Sequence, residues 1–126
     1  MGTQTATMTT KEVANRLVKL CREGKIEEAQ KELFADDVVS IEAQVMPGQE
    51  KEAKGIDAIF EKGRQFMSMV EGVHGSEISE PIVLGNLFAI TWSFDATMKG
   101  RGRNKMEEVC VYKVKDGKVV SEQFIS

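Results

Sequence analysis

The stretch NLFAITWSFDATMKGRGRNKMEEVCVYKVKDGKVVSEQFIS, Asn86 to Ser126, decides the fold. Within it Phe88, Ile90, Trp92, Phe94, Ala96 and Met98 share one parity, opposed by Ala89, Thr91, Ser93, Asp95 and Thr97, which is the pattern of a strand with one covered face. After the loop KGRGRN a second strand runs through KMEEVCVYKV, and Asp116-Gly117 turns it into a third, KVVSEQFIS. A meander of this kind has one face to cover, and three upstream helical segments are available to cover it. The arrangement encloses a pocket at one end more readily than a solid core.

Working back from that stretch, Gly85-Asn86 reads as a hairpin turn, preceded by a strand that Pro81 breaks to an edge or bulge. Ile56, Ile59, Phe60, Phe66, Met67 and Val70 give a helix of 3.6-residue period, with Gly63 inside it explained by close packing on the sheet. MPGQEKEAKG before it reads as a polar loop punctuated by Pro47, Gly48 and Gly55. VVSIEAQV, Val38 to Val45, is expected as a strand, and Asp36-Asp37 as the turn leading into it. A short helix is expected from Lys25 to Phe34. The first helix opens with Thr9 as N-cap, Glu12 completing a capping box and Met8 stapling onto Val13, and Gly24 stops it. The expected order is α-α-β-α-β-β-β-β, with residues 1–8 as a flexible lead-in and 9–126 as one domain.

At 126 residues one modest core suffices. Hydrophobic residues at 41% and charged residues at 29% are those of an ordinary soluble protein, and no apolar run is long enough to span a bilayer. A net charge of −3 argues against a protein that grips phosphate backbones, so neither nucleic acid nor membrane is an expected partner. Cys21 and Cys110 form no metal-ligand pattern and read as reduced thiols of a cytoplasmic protein. No G-x-G-x-x-G, P-loop or metal-ligand cluster is present, so no cofactor or metal is expected.

GKIEEAQKELFADDVV (Gly24 to Val39), Gly55-Ile56, GNLFAITWSFDAT (Gly85 to Thr97) and EEVCVYKVKDGKVVSEQF (Glu107 to Phe124) together resemble the nuclear transport factor 2-like, or cystatin-like α+β, superfamily, in its SnoaL-like branch. The resemblance covers the chain after Thr9. It implies three helices packed on a strongly curved, mostly antiparallel sheet that forms a cone with an internal pocket, and a homodimer paired through the sheet. It also implies a small-molecule ligand, with members that include ketosteroid isomerases, polyketide cyclases and dehydratases. Carried over position by position, the isomerase base falls on Glu42. The two oxyanion donors fall on Leu17, which cannot donate, and on Cys110, only a weak donor.

Glu42 is accordingly the first catalytic candidate, because a carboxylate enclosed in an apolar cone is pushed toward the range of a general base. The alternative register turns Ile41 and Ala43 inward and leaves Glu42 in water. Glu108, on the parity of Cys110 and Tyr112, either shares a proton with Glu42 or forms an edge salt bridge to Arg101 or Arg103. His74, the single histidine, is an acid/base candidate or a rim residue; Tyr112 is a pocket donor or a core ring. Leu17, Phe60, Met67, Trp92, Phe94, Cys110 and Phe124 are the expected pocket lining, with Phe66, Phe88, Met98 and Met106 as lining or core. The basic tip Lys99, Arg101, Arg103 and Lys105 either holds an anion or is a solvated hairpin end.

Overall fold

The structure, a computed structural model, describes residues 7–45, 47 and 50–126. The first helix, α1 (Thr10–Arg22), is fixed at both ends by the expected chemistry. The Thr9 hydroxyl accepts from the Glu12 N–H at 3.2 Å, and the Glu12 carboxylate accepts from the Thr9 N–H at 2.9 Å. At the other end Gly24 takes φ 78°, which lets the Lys25 and Gly24 amides close back onto the carbonyls of Leu20 and Cys21. Val13, Ala14, Leu17, Val18 and Leu20 are its buried stripe. The expected lead-in falls mostly outside the described residues, but its last two, Thr7 and Met8, rest against the turn at Gly117, and Met8 packs on the core.

Helix α2 (Ile26–Leu33) runs directly into β1 (Phe34–Ile41), earlier than the sequence pattern predicts. Asp36 and Asp37 do not turn the chain. They lie exposed inside β1, where the register to the neighbouring strand slips between Phe34 and Val39, so the two acids sit in a bulge. A further correction is β2 (Glu52–Lys54), inside the supposed loop. EAK has no strand composition of its own. It forms a strand because the edge of β1 offers it a ladder, with Val39 opposite Lys54 and Ser40 opposite Ala53. Met46, Gly48 and Gln49 of that loop lie outside the described residues.

Helix α3 (Ile56–Ser68) starts after Gly55 at φ 89° and buries only Ile59. Its apolar stripe is therefore not a core stripe: Phe66 and Met67 are exposed, and Val70 already belongs to β3 (Val70–Ile78). A Cβ at Gly63 would meet nothing within 4 Å, so close packing does not explain that glycine. Pro81 separates β3 from β4 (Ile82–Leu84). Then follow β5 (Leu87–Met98), β6 (Gly102–Lys115) and β7 (Lys118–Ile125), with Asp116 (φ 51°) and Gly117 (φ 76°) making the left-handed two-residue turn between the last two.

The seven strands form one sheet in the order β2-β1-β7-β6-β5-β3, with β4 on β5; β1 runs parallel to β7 and every other pair is antiparallel. The helices cover one face, the inner one. There Phe88 and Ile90 of β5 and Cys110, Tyr112 and Val114 of β6 pack with Leu17, Leu33 and Ile59. Along β7 the parity switches: Val114 pairs with Val119 but Lys113 pairs with Ser121, so Val120 is extra. That bulge turns both Val119 and Glu122 inward.

Candidate active site on the inner face of the sheet

Val38 and Ser40 of β1 are fully buried, and the same alternation brings Glu42, just past the strand end, toward the helices in place of Ile41. There it meets α3. Lys62 stands one turn after Ile59, the buried anchor of that helix, and reaches over the sheet to three groups. Its Nζ lies 2.5 Å from Glu42 Oε1, donates to Ser40 Oγ at 2.7 Å, and sits 5.1 Å from the Phe124 ring centroid. The Ser40 hydroxyl in turn donates to Glu122 Oε1 at 2.7 Å. A continuous chain thus runs from a carboxylate that is 3% exposed, through Ser40, to the half-exposed ion pair.

Glu108 joins from β6, directly opposite Trp92 of β5. Burial raises its pKa, the Glu42 charge raises it further, and Lys62 opposes both. Glu122 is pushed up to about 7, mainly by burial; Ser40 and Lys62 pull it down, while Glu42 and Glu108 add to the rise. Lys62 is thus the cation felt by both carboxylates. Among the described residues no buried side-chain nitrogen or oxygen is left without a partner.

Around this cluster Trp92, Phe94 and Phe124 remain half-buried. The Trp92 Nε1–H donates to Ser76 Oγ at 3.1 Å, and its ring meets Phe94 edge-on at 6.2 Å; Phe94 also meets Phe66 of α3 at 5.9 Å. A cleft of about 460 Å³, lined by Arg22, Ser76, Glu77 and Ile78, opens beside Trp92 through Ser76. Arg22, at the end of α1, is tied across it by bonds to the Ile78 carbonyl and to Glu80.

The remaining expected site residues lie elsewhere. His74 is on the outer face, its Nε2 2.6 Å from Thr97 Oγ1, because a register slip between Val73 and Gly75 rotates it out. Tyr112 is core: its ring stacks on Phe88 at 4.7 Å and lies 6.5 Å from Phe34, and its hydroxyl is buried with the ring, so it opens on no pocket. Leu17 and Cys110 are enclosed by protein, which fills the deep end of the expected cone. Burial raises both thiols, Cys21 to about 12 and Cys110 beyond it, so neither is a nucleophile at neutral pH. Phe60 faces the other way, between the cations of Lys31 and Arg64, and Met67 is exposed. Arg103 pairs with Asp95 on the outer face and not with Glu108.

Lys62, Ser40 and Glu122 were not legible as site residues. The spacing from Ile59 to Lys62 carries a signal for the lysine, since i and i+3 share a helix face. Nothing in VVSEQF announces the bulge that turns Glu122 inward.

Three helices on one face of a mostly antiparallel seven-stranded sheet are the architecture of the cystatin-like, ketosteroid isomerase-like class of α+β fold. Within that class the chain belongs to the SnoaL-like domain family, which it matches over residues 8–126. A Mesorhizobium loti protein, named as a candidate SnoaL-like polyketide cyclase and carbohydrate phosphatase, superposes with a TM-score of 0.86 at 35% identity, covering 94% of this chain and all of its own (100%). A Xanthomonas campestris protein of unknown function with a cystatin-like fold gives a TM-score of 0.79 at 18% identity, with 94% and 91% of the two chains covered. A Catenulispora acidiphila protein of ketosteroid isomerase-like fold, complexed with trimethylamine, gives 0.70 at 19% identity over 94% and 87%. No curated protein matches the sequence.

Proposed function

We propose that this protein binds a small, largely apolar organic molecule against Trp92, Phe94 and Phe124 and moves a proton on it with the Glu42 and Glu108 carboxylates. It would do so as a cofactor-independent isomerase, cyclase or dehydratase. The observation that carries this reading is the gathering of carboxylates about one lysine, beside aromatic rings that the fold leaves half-covered. A raised carboxyl is suited to taking a proton and returning it, and rings beside it give an apolar body somewhere to lie. The cyclase name of the Mesorhizobium loti relative is in keeping with it.

Replacing Glu42 or Glu108 by Gln is expected to abolish wash-in of deuterium at the α-position of a bound carbonyl compound, with little change in melting temperature. Undiminished exchange in both variants would remove the pair from the mechanism. Native mass spectrometry of the purified protein, compared with the same sample denatured, supplies the ligand to use.

A second reading, a binding module without catalysis, is favoured by the absence of oxyanion donors at Leu17 and Cys110. Retained ligand with no exchange at all would select it. In either reading we propose a homodimer paired through the outer sheet face, in a reducing cytoplasmic setting. Ile82, Leu84 and Ile125 support the pairing, at 75%, 78% and 48% exposure on that face. Light scattering should find a dimer that Leu84→Glu converts to monomer.

A further inference from the structure

The oxygen-anion stabilisation missing from Leu17 and Cys110 has another source. We propose that Lys62 supplies it, its ammonium passing from Glu42 to the substrate oxygen in the step in which Glu42 takes a proton, which makes the substrate class small molecules with an enolisable carbonyl. This rests on the proton-transfer reading given above and names the group and substrate chemistry it needs.

The placement of Lys62 supports the exchange of partners. Of its bonds, the one to Ser40 is anchored: Ser40 is fully buried and its hydroxyl is committed to the buried Glu122. The bond to Glu42 is at the half-exposed end, where a ligand lying on Phe124 would arrive. In the step itself the substrate's α-carbon–hydrogen bond breaks and the proton goes to the Glu42 carboxylate. The electron pair moves through the new carbon–carbon double bond onto the carbonyl oxygen. Glu42 becomes neutral as the oxygen becomes an anion, so one negative charge beside Lys62 replaces another and the total charge of the site is unchanged. Lys62 need not leave Ser40 to follow it. The charge-assisted bond is strongest where the negative charge has newly formed, which is the requirement for lowering a barrier and not merely for binding.

The test uses 4-nitrophenol, whose absorption separates phenol from phenolate and whose oxygen takes the place of the enolate oxygen. Its proton should pass to Glu42 on binding. Wild-type protein, at a pH where the free probe is largely protonated, should bind it as phenolate and quench Trp92 fluorescence. Lys62→Met should lose about ten-fold or more in phenolate affinity, and Lys62→Arg should keep most of it. Glu42→Gln, whose neutral amide stands in for the protonated Glu42, should bind the phenolate at least as tightly as wild type. Three carboxylates without an oxygen-directed lysine would favour the neutral phenol. A wild-type protein that quenches but binds only phenol therefore overturns the inference, whether or not Lys62→Met folds. Equal phenolate binding by wild type and Lys62→Met overturns it too, and both results leave the ligand site standing. No quenching and no spectral change in the wild type would overturn the site and the inference together.

Discussion

The two faces of the β5–β6 ladder carry similar residues to different ends. On the outer face a half-buried Asp95 takes a two-pronged bond from the exposed Arg103, at 3.1 and 2.9 Å, and the guanidinium holds its carboxyl below the usual range. On the inner face Glu122 is buried and Glu108 half-buried; both share Lys62 with Glu42 and are held above that range. Acid and base occur on both faces; desolvation and the ratio of carboxylates to cations differ. A matched, hydrated pair has its protons settled at neutral pH. A crowded cluster with a buried end and too few cations keeps one within reach of exchange, and that is the face on which the aromatic rings stay partly open.

The largest effect expected from breaking this contrast is at Glu122. Its pKa in the folded protein, about 7, lies above the ordinary 4.5, so between those values the native state keeps a proton that the unfolded state has lost. Its contribution is therefore fully present below the ordinary value and is lost as pH rises through 7, a fall of about 3 kcal/mol. Glu122→Gln should remove that fall, so that urea titrations across pH 5 to 8 give a flatter stability profile than wild type (roughly, by the same linkage). A smaller effect is expected at Gly63 on α3, where a Cβ has open space: Gly63→Ala should raise stability by about 1 kcal/mol through helix propensity, leaving ligand binding intact. The smallest is at Arg103. Arg103→Ala should leave the melting temperature and probe binding nearly unchanged, because a pair whose guanidinium is exposed to water contributes little. A marked loss there would put the outer face on a level with the inner one.

What could be read from the sequence follows the same division. Strict alternation in β5 and the capping box of α1 are local signals, and both appear where the residues predict them. The shared parity of Glu108, Cys110 and Tyr112 in β6 followed from the same rule, while its inward direction came from the family resemblance. Elements set by partners were hidden: β2 exists only because β1 has a free edge, and Asp36-Asp37 mimics a turn while lying in a bulge. The site suffered most. His74 and Glu122 changed faces through one-residue register slips, which reverse every inward and outward assignment beyond them. Lys62 carried no reading of its own, because the apolar stripe drew attention to Phe66 and Met67, which α3 leaves exposed while its lysine reaches to the sheet.

The most direct measurement is a carboxyl-carbon NMR titration of the whole protein, with Glu122→Gln, Glu108→Gln and Asp95→Asn used to assign the resonances. The inner face predicts Glu122 titrating near 7 and Glu108 above the ordinary glutamate range, and the outer face predicts Asp95 below the ordinary aspartate range. Glu122 and Glu108 titrating with ordinary values would mean that water and counter-ions serve both faces alike, and the inner cluster would then hold no exchangeable proton at neutral pH.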